Sequence, residues 1–148
     1  MGIIDQLDNA GALPALDKMM RFAAGRQKLI AHNIANMDTP GFLEVDVDPK
    51  AFQEQLAKAI DDRRSRNGGG HGDLGMESTR EVGVLPDGRL SFDPRTGSGN
   101  ILFHDRNNRD LERTMQSMVE NAAMFRLASD LYRNRTRVLR DAIAERVT

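Results

Sequence analysis

The side chains best suited to acid–base or metal chemistry at neutral pH are His32, His71 and His104. They are far apart in sequence, and none has a second ligand at helical or finger spacing, whereas a metal site needs several converging groups. Surface or packing histidines are expected instead, with no metal and no other cofactor. Glu44, Asp46 and Asp48 offer oxygens for calcium, but the stretch lacks the glycine and later glutamate of an EF-hand loop, so it reads as a solvated acidic strand face. Gly68-Gly69-Gly70-His71-Gly72 is glycine-rich like a phosphate loop, yet no Gly-Lys-Ser/Thr follows and no helical pattern begins there. Arg133, Arg137 and Arg140 form a basic stripe that could touch phosphates. Asp130, Asp141 and Glu145 can neutralise it, with Arg137 and Asp141 spaced as an i,i+4 pair, so a charged outer helix face is the better reading. Cysteine is absent, which removes disulfides, thiolate metal sites and a cysteine nucleophile. Without a Ser/His/Asp constellation or paired carboxylates in a glycine-built pocket, no catalytic residue is expected, and the residues favour an assembly protein over an enzyme.

Composition supports that preference. The chain has 148 residues, 39% hydrophobic but only 5% aromatic, with 29% charged, a profile of long helices more than of a thick core. The net charge of −1 is evenly spread: residues 1–60 carry 6 basic and 8 acidic groups, 61–104 carry 6 and 7, and 105–148 carry 9 and 7. No segment is a polycation, so neither nucleic acid nor an anionic membrane is an expected partner. The start, Met1-Gly2-Ile3-Ile4-Asp5-Gln6-Leu7, has no cationic region followed by a long apolar one, so no cleaved secretory signal is expected. No run approaches the ~20 apolar residues that would insert in a bilayer.

The elements follow from periodicity. After an amphipathic turn at residues 3–7, Pro14 suits the first turn of a helix. Leu16, Met20, Ala23, Gln27, Ile30 and Ile34 then alternate by four and three residues, the seam of two helices packed side by side, with Gln27 as its polar interruption. That helix is expected to end at Asn36 in a left-handed cap, and Pro40-Gly41 to occupy the centre of a type II turn. Leu43, Val45 and Val47 alternate with acids as a short extended segment. Asp48 should cap a helix over 49–60 through Phe52, Leu56 and Ile60, with Glu54 placed to pair with Lys58. Residues 61–75 read as a mobile linker with five glycines and one aliphatic side chain, Leu74. A hairpin is expected where 81–85 and 89–92 flank Pro86-Asp87-Gly88. A second flexible stretch, 96–100, leads to the apolar run Ile101-Leu102-Phe103. From Asn108 to Arg146 there is no proline or glycine, and Leu111, Met115, Met118, Ala122, Phe125, Ser129, Tyr132, Thr136, Leu139 and Ile143 repeat the heptad spacing. Methionines 19, 20, 115, 118 and 124 fall mostly on these seams.

The fold class is therefore mainly α: N- and C-terminal heptad helices pairing as an antiparallel-type coiled coil, with a short extended segment and a flexible middle containing a small hairpin. Residues 1–60 and 105–148 form one assembly unit, and 61–104 link them. Neither terminal helix can hide its stripe alone, so each needs the other or further copies.

Between the first helix and the extended segment lies Leu29-Ile30-Ala31-His32-Asn33-Ile34-Ala35-Asn36-Met37-Asp38-Thr39-Pro40-Gly41-Phe42. This stretch resembles the N-terminal signature of bacterial flagellar rod, hook and hook-associated axial proteins: Asn-Ile-Ala-Asn, two variable residues, then Thr-Pro-Gly and an aromatic. The short length and the continuation Glu44–Asp48 are similar to the proximal rod proteins of the basal body. Asp110-Leu111-Glu112, Met115 and Glu120-Asn121 resemble the start of that family's closing helix. The resemblance implies a non-enzymatic subunit of a hollow rod crossing the periplasm, exported unfolded by the flagellar type III apparatus without a cleaved signal. Its implied partners are other rod and basal-body proteins, copies of itself in a helical assembly, and the export apparatus. Asn33, Ile34, Ala35, Asn36, Thr39, Pro40, Gly41 and Phe42 then carry the motif, ending the first helix, setting the turn and placing Phe42 as an apolar anchor. The seam positions Leu16, Met20, Ala23, Ile30, Leu111, Met115, Met118, Phe125, Tyr132, Leu139 and Ile143 are the expected packing contacts. The rival class is a soluble coiled-coil adaptor or secretion chaperone, which would have no need of the Thr-Pro-Gly corner. A further rival is a small hydrolase using His71 or His104.

Overall fold

The computed structural model describes residues 11–68, 71–96 and 111–145. The amphipathic turn at 3–7, the run Ile101–Phe103 and His104 lie outside the described residues.

Three helices dominate. Helix α1 spans Leu13–Asn36, with Pro14 in its first turn, where a missing N–H loses nothing. Strand β1 (Val45–Asp46) follows the corner, and helix α2 spans Pro49–Asn67. A hairpin of β2 (Val82–Val84) and β3 (Leu90–Phe92) comes next, then β4 (Arg95–Thr96) and the long helix α3 (Leu111–Glu145). At 1.5 Å per residue α3 is about 52 Å long.

The core lies on one side of α1. Phe22 stacks on Phe52 of α2 with ring centroids 4.0 Å apart and leans on Phe92 of β3 at 6.1 Å. Val47, Leu56, Ala59, Leu74, Met76 and Val82 close around them. Helix α3 covers another side of α1: Ser129 bonds the Met20 sulfur, and Asn121 bonds the Ala23 carbonyl and the Gln27 amide.

Helix α2 is longer than the sequence predicts. Phe52, Leu56, Ala59 and Arg63 are all buried at helical spacing, and Arg63 takes an inward place that periodicity reserves for an apolar residue. Its guanidinium donates to the carbonyls of Gly11 (2.7 Å) and His71 (3.3 Å), tying the end of α2 to the start of α1. The helix stops at Gly68, whose φ of +66° is the left-handed cap. Residues 61–67 are thus helix, and the linker reading also fails for Leu74, which is buried in the core. Asp48 caps α2 as expected, accepting from the Lys50 N–H at 2.8 Å. Lys58 pairs with Glu77 at 3.1 Å rather than with Glu54.

The hairpin forms where the sequence places it, pairing Val82 with Phe92 and Val84 with Leu90. Gly88, at φ +78°, completes a three-residue loop, and Arg89 donates to Asp87 through its backbone N–H and guanidinium. Those hydrogen bonds hold the Asp87 carboxyl below the usual carboxylate range. Lys18 of α1 reaches the Gly88 carbonyl, and burial lowers its pKa from the ordinary 10.5. A lone two-stranded ribbon is marginal in water, and this one is secured by Phe92. A Cβ at Gly25 would lie 2.2 Å from that ring, so the hairpin sits directly on the helix backbone.

Candidate functional site

The corner between α1 and β1 is built by two side chains that point back from α1. Asn33, 4% exposed, donates its amide N–H to the Val45 carbonyl (2.8 Å), while its Oδ1 accepts the Val45 N–H (3.1 Å). An asparagine amide presents the donor and acceptor of a neighbouring strand, so it clasps one residue of the extended chain as a strand partner would. Two turns earlier, Arg26 is 5% exposed and forks onto Asp46, its shortest contact 2.6 Å from Nη2 to Oδ2. Such charge-assisted pairs are about twice as strong as neutral hydrogen bonds. Residues 45 and 46 are therefore held side by side on α1, while β4 pairs their other edge.

Between the clasp and the helix end, the chain turns in two steps. Thr39 N–H donates to the Asn36 carbonyl (2.9 Å) and Phe42 N–H to the Thr39 carbonyl (3.1 Å). Pro40 fixes a negative φ at the first central position and Gly41 has φ +76°, so residues 39–42 make the type II turn. The left-handed cap expected at Asn36 is absent. Asn36 is helical, its side chain folds back on the His32 carbonyl (2.8 Å), and Met37 follows at φ −62°. Phe42 is half-buried and meets the His32 ring edge-on at 5.6 Å, outside the main core. Ile34, Ala35, Thr39, Pro40 and Gly41 are exposed. Within the motif, Asn33 thus secures the corner and its neighbours form the presented surface.

The acidic strand face is not simply solvated. Asp46 holds Arg26, Asp48 caps α2, and Glu44 accepts a 2.8 Å hydrogen bond from Thr114, joining the corner to α3.

Of the predicted seam positions, Leu16, Ala23 and Ile30 are buried, and Met20, Met118, Tyr132 and Leu139 are half-buried. Leu111, Met115, Phe125 and Ile143 are 51%, 50%, 42% and 43% exposed within one chain. The line of α3 that meets α1 is Thr114, Asn121 and Ala128, seven residues apart and each at most 4% exposed. It lies one residue behind Met115, Ala122 and Ser129, because small side chains let the backbones approach and a polar layer of Asn121 and Gln27 fits between them. The Asn121 Nδ2 uses both protons on Ala23 and Gln27, and its buried Oδ1 accepts no hydrogen bond among the described residues. Beside it, Ala23, Ala24, Ala122 and Phe125 line an open groove of about 380 Å³.

Arg26 and Gly25 escape sequence reading, and Asn121 enters it only through the resemblance, without its packing role. Arg26 does fall four residues before Ile30 on the buried side, and a charged residue on an apolar face signals a paired partner. Nothing local marks Gly25, whose neighbour Phe92 is far along the chain. Among the described residues no cluster of three His, Cys, Asp or Glu could hold a metal ion, and no helix is long and apolar enough to cross a membrane.

Two long terminal helices with a clasped corner between them define a class of helical structural proteins, in which polar side chains serve backbone geometry. A family model described as flagella basal body rod protein matches residues 20–42, the segment holding Arg26, Asn33 and the turn. The chain is 33% identical over 101 residues to the flagellar basal body rod protein FlgB of Proteus mirabilis (strain HI4320), covering 68% of this chain and 69% of that one. It is 34% identical over 111 residues to FlgB of Yersinia enterocolitica (70% and 76% covered) and 28% identical over 133 residues to FlgB of Escherichia coli K12 (85% and 86%). The chain belongs to the flagellar basal body rod protein family.

Proposed function

We propose that this protein is a structural, non-enzymatic subunit of the bacterial flagellar basal-body rod, packing against copies of itself and other rod proteins. The observation that carries the reading is the Asn33 clasp inside the segment that the family model matches. The corner acts through geometry: the clasp and the Arg26–Asp46 fork fix the angle at which β1 leaves α1, and exposed residues 34, 35 and 39–41 meet a neighbouring subunit. Helices α1 and α3 pair as an antiparallel coiled coil, since residue 20 meets 129 while 23 and 27 meet 121. Subunits polymerise through these terminal helices after export by the flagellar type III apparatus, a route on which the absence of cysteine removes the risk of crosslinking.

The test is deletion of the gene followed by complementation. Cells lacking the protein should be non-motile and without rods, and the protein should be recovered in purified basal bodies on restoration. A chain found only in the cytosol, with rods intact in its absence, would instead identify an adaptor or chaperone. Gly41→Val sharpens the assignment: no atom lies within 4 Å of the added Cβ, so the effect comes from the backbone at φ +76°. Rod assembly should fail while the helices still form, as read by circular dichroism. Normal motility of that variant would refute a geometric role for the turn.

A further inference from the structure

Among the described residues, two strips of α3 carry exposed large apolar side chains, the first of them ending at the half-buried Ala122. One consists of Leu111, Met115 and Ala122, with Val119 beside them, and the other of Leu127, Leu131 and Val138. Leu111, Met115 and Val119 are 51%, 50% and 65% exposed, and Leu127, Leu131 and Val138 are 57%, 44% and 51%. At about 100° per residue the strips sit roughly 100–115° to either side of the Thr114–Asn121–Ala128 line that faces α1. They are opposite flanks of one helix. Both follow the spacing i, i+4, i+11, and each residue of the second comes sixteen after its counterpart: 111 and 127, 115 and 131, 122 and 138. The flanks also change character in opposite senses. The first turns cationic past its strip, with exposed Arg126, Arg133, Arg137 and Arg140, while the second is polar before its strip, with Arg113, Gln116 and Glu120.

We propose that α3 of one copy packs parallel to α3 of a second copy, displaced by sixteen residues, about 24 Å along the axis. Leu111, Met115 and Ala122 of one copy then meet Leu127, Leu131 and Val138 of the next. This rests on the reading of the chain as a polymerising subunit and names the contact. Parallel helices in register would press Arg126, Arg133 and Arg137 against Leu127, Leu131 and Val138, stripping water from guanidinium groups to which that apolar strip offers no acceptor, beyond the contacts of Arg133 with Asp130 and Arg137 with Asn134 on their own helix. A two-fold pairing of the first strip with itself would leave the second bare. The displaced arrangement covers both strips with one kind of contact and carries the arginines past the neighbour's strip. Because two different flanks meet, the contact is head-to-tail and continues from copy to copy.

Introduced cysteines report the contact cleanly, since the native chain has none. The full chain carrying Met115→Cys and Leu131→Cys is oxidised mildly, both as concentrated protein and in basal bodies from complemented cells. Within one helix these positions are about 24 Å apart, beyond the ~7 Å reach of a disulfide, so every bond formed joins two copies. The double variant should give a ladder of oligomers, at least about tenfold more crosslinked chain than either single variant, given the millimolar effective concentrations of juxtaposed groups. Leu111→Cys with Leu127→Cys should do the same, and all four sites are exposed enough for the fold to tolerate them. Dimerisation of Met115→Cys alone as efficient as the double variant would overturn the proposal in favour of two-fold pairing. Absence of crosslinks in both double variants, with the chain folded and incorporated, would overturn it outright. Absence of the wild-type chain from basal bodies would instead sink the rod reading, leaving the crosslink in concentrated protein to stand or fall separately.

Discussion

Helices α1 and α3 carry the same heptad pattern and meet opposite fates. Helix α1 buries Leu13, Ala15, Leu16, Phe22, Ala23, Arg26, Ile30 and Asn33, because α2, the hairpin, β1 and α3 all pack on it. Helix α3, although longer, buries only Thr114, Asn121 and Ala128 among the described residues, and leaves eight large apolar side chains exposed: Leu111, Met115, Val119, Phe125, Leu127, Leu131, Val138 and Ile143. A heptad pattern states that a helix has a surface to hide. It does not state whether the same chain or a neighbour will hide it. Helix α1 is the centre of the subunit and α3 is its outer surface, so damage to the first should appear as lost stability and damage to the second as lost assembly.

The contrast is most easily broken at Phe22, stacked on Phe52 and fully buried. Phe22→Ala should destabilise the isolated chain by about 3–5 kcal/mol in denaturant titrations, and a loss near zero would mean that α1 is not the centre of the core. Next comes the clasp. Asn33→Ala leaves the Val45 N–H and carbonyl without their side-chain partner and should cost about 1–3 kcal/mol. Amide exchange at Val45 should rise more than exchange in α2; equal rises would show that the corner is not a local device. Gly25→Ala sets a favourable helix propensity of about 1 kcal/mol against a clash with the Phe92 ring. Overpacking of about 1–3 kcal/mol should win, so the hairpin amides lose protection while α1 stays helical. Smallest of all in the isolated chain should be Val119→Ser on the outer flank of α3, within about 0.5 kcal/mol of wild type. The same variant should reduce recovery of the protein in basal bodies, and a full yield there would remove the functional half of the contrast.

Much of this was legible in local text. Pro14, Asp48-Pro49 and Pro40-Gly41 fix φ values or supply caps whatever lies elsewhere, and the structure has a helix start, a cap and a turn at those places. The hairpin followed from strand-forming residues around Pro86-Asp87-Gly88. Two differences have a shared cause: the end of α2 expected at residue 60, and the absence of Thr114 and Asn121 from the expected packing positions of α3, both follow from weighing positions by apolarity. The structure instead buries Arg63, Thr114 and Asn121, each with hydrogen-bond partners that the chain supplies from far away. A polar residue becomes an interior residue when its partners arrive, and periodicity cannot see them arrive.

By itself, then, the sequence determined the three helices, the sharp corner after the first, the absence of a cysteine-based site and the family signature at residues 29–42, since each depends on neighbours within a turn or two. Only the tertiary structure decided that Asn33 and Arg26 hold residues 45 and 46, that Gly25 admits Phe92, and that α3 buries Thr114, Asn121 and Ala128. Those outcomes depend on which distant groups come within hydrogen-bonding or van der Waals range. Such distances are set by the packing of the whole chain and are written in no single segment of it.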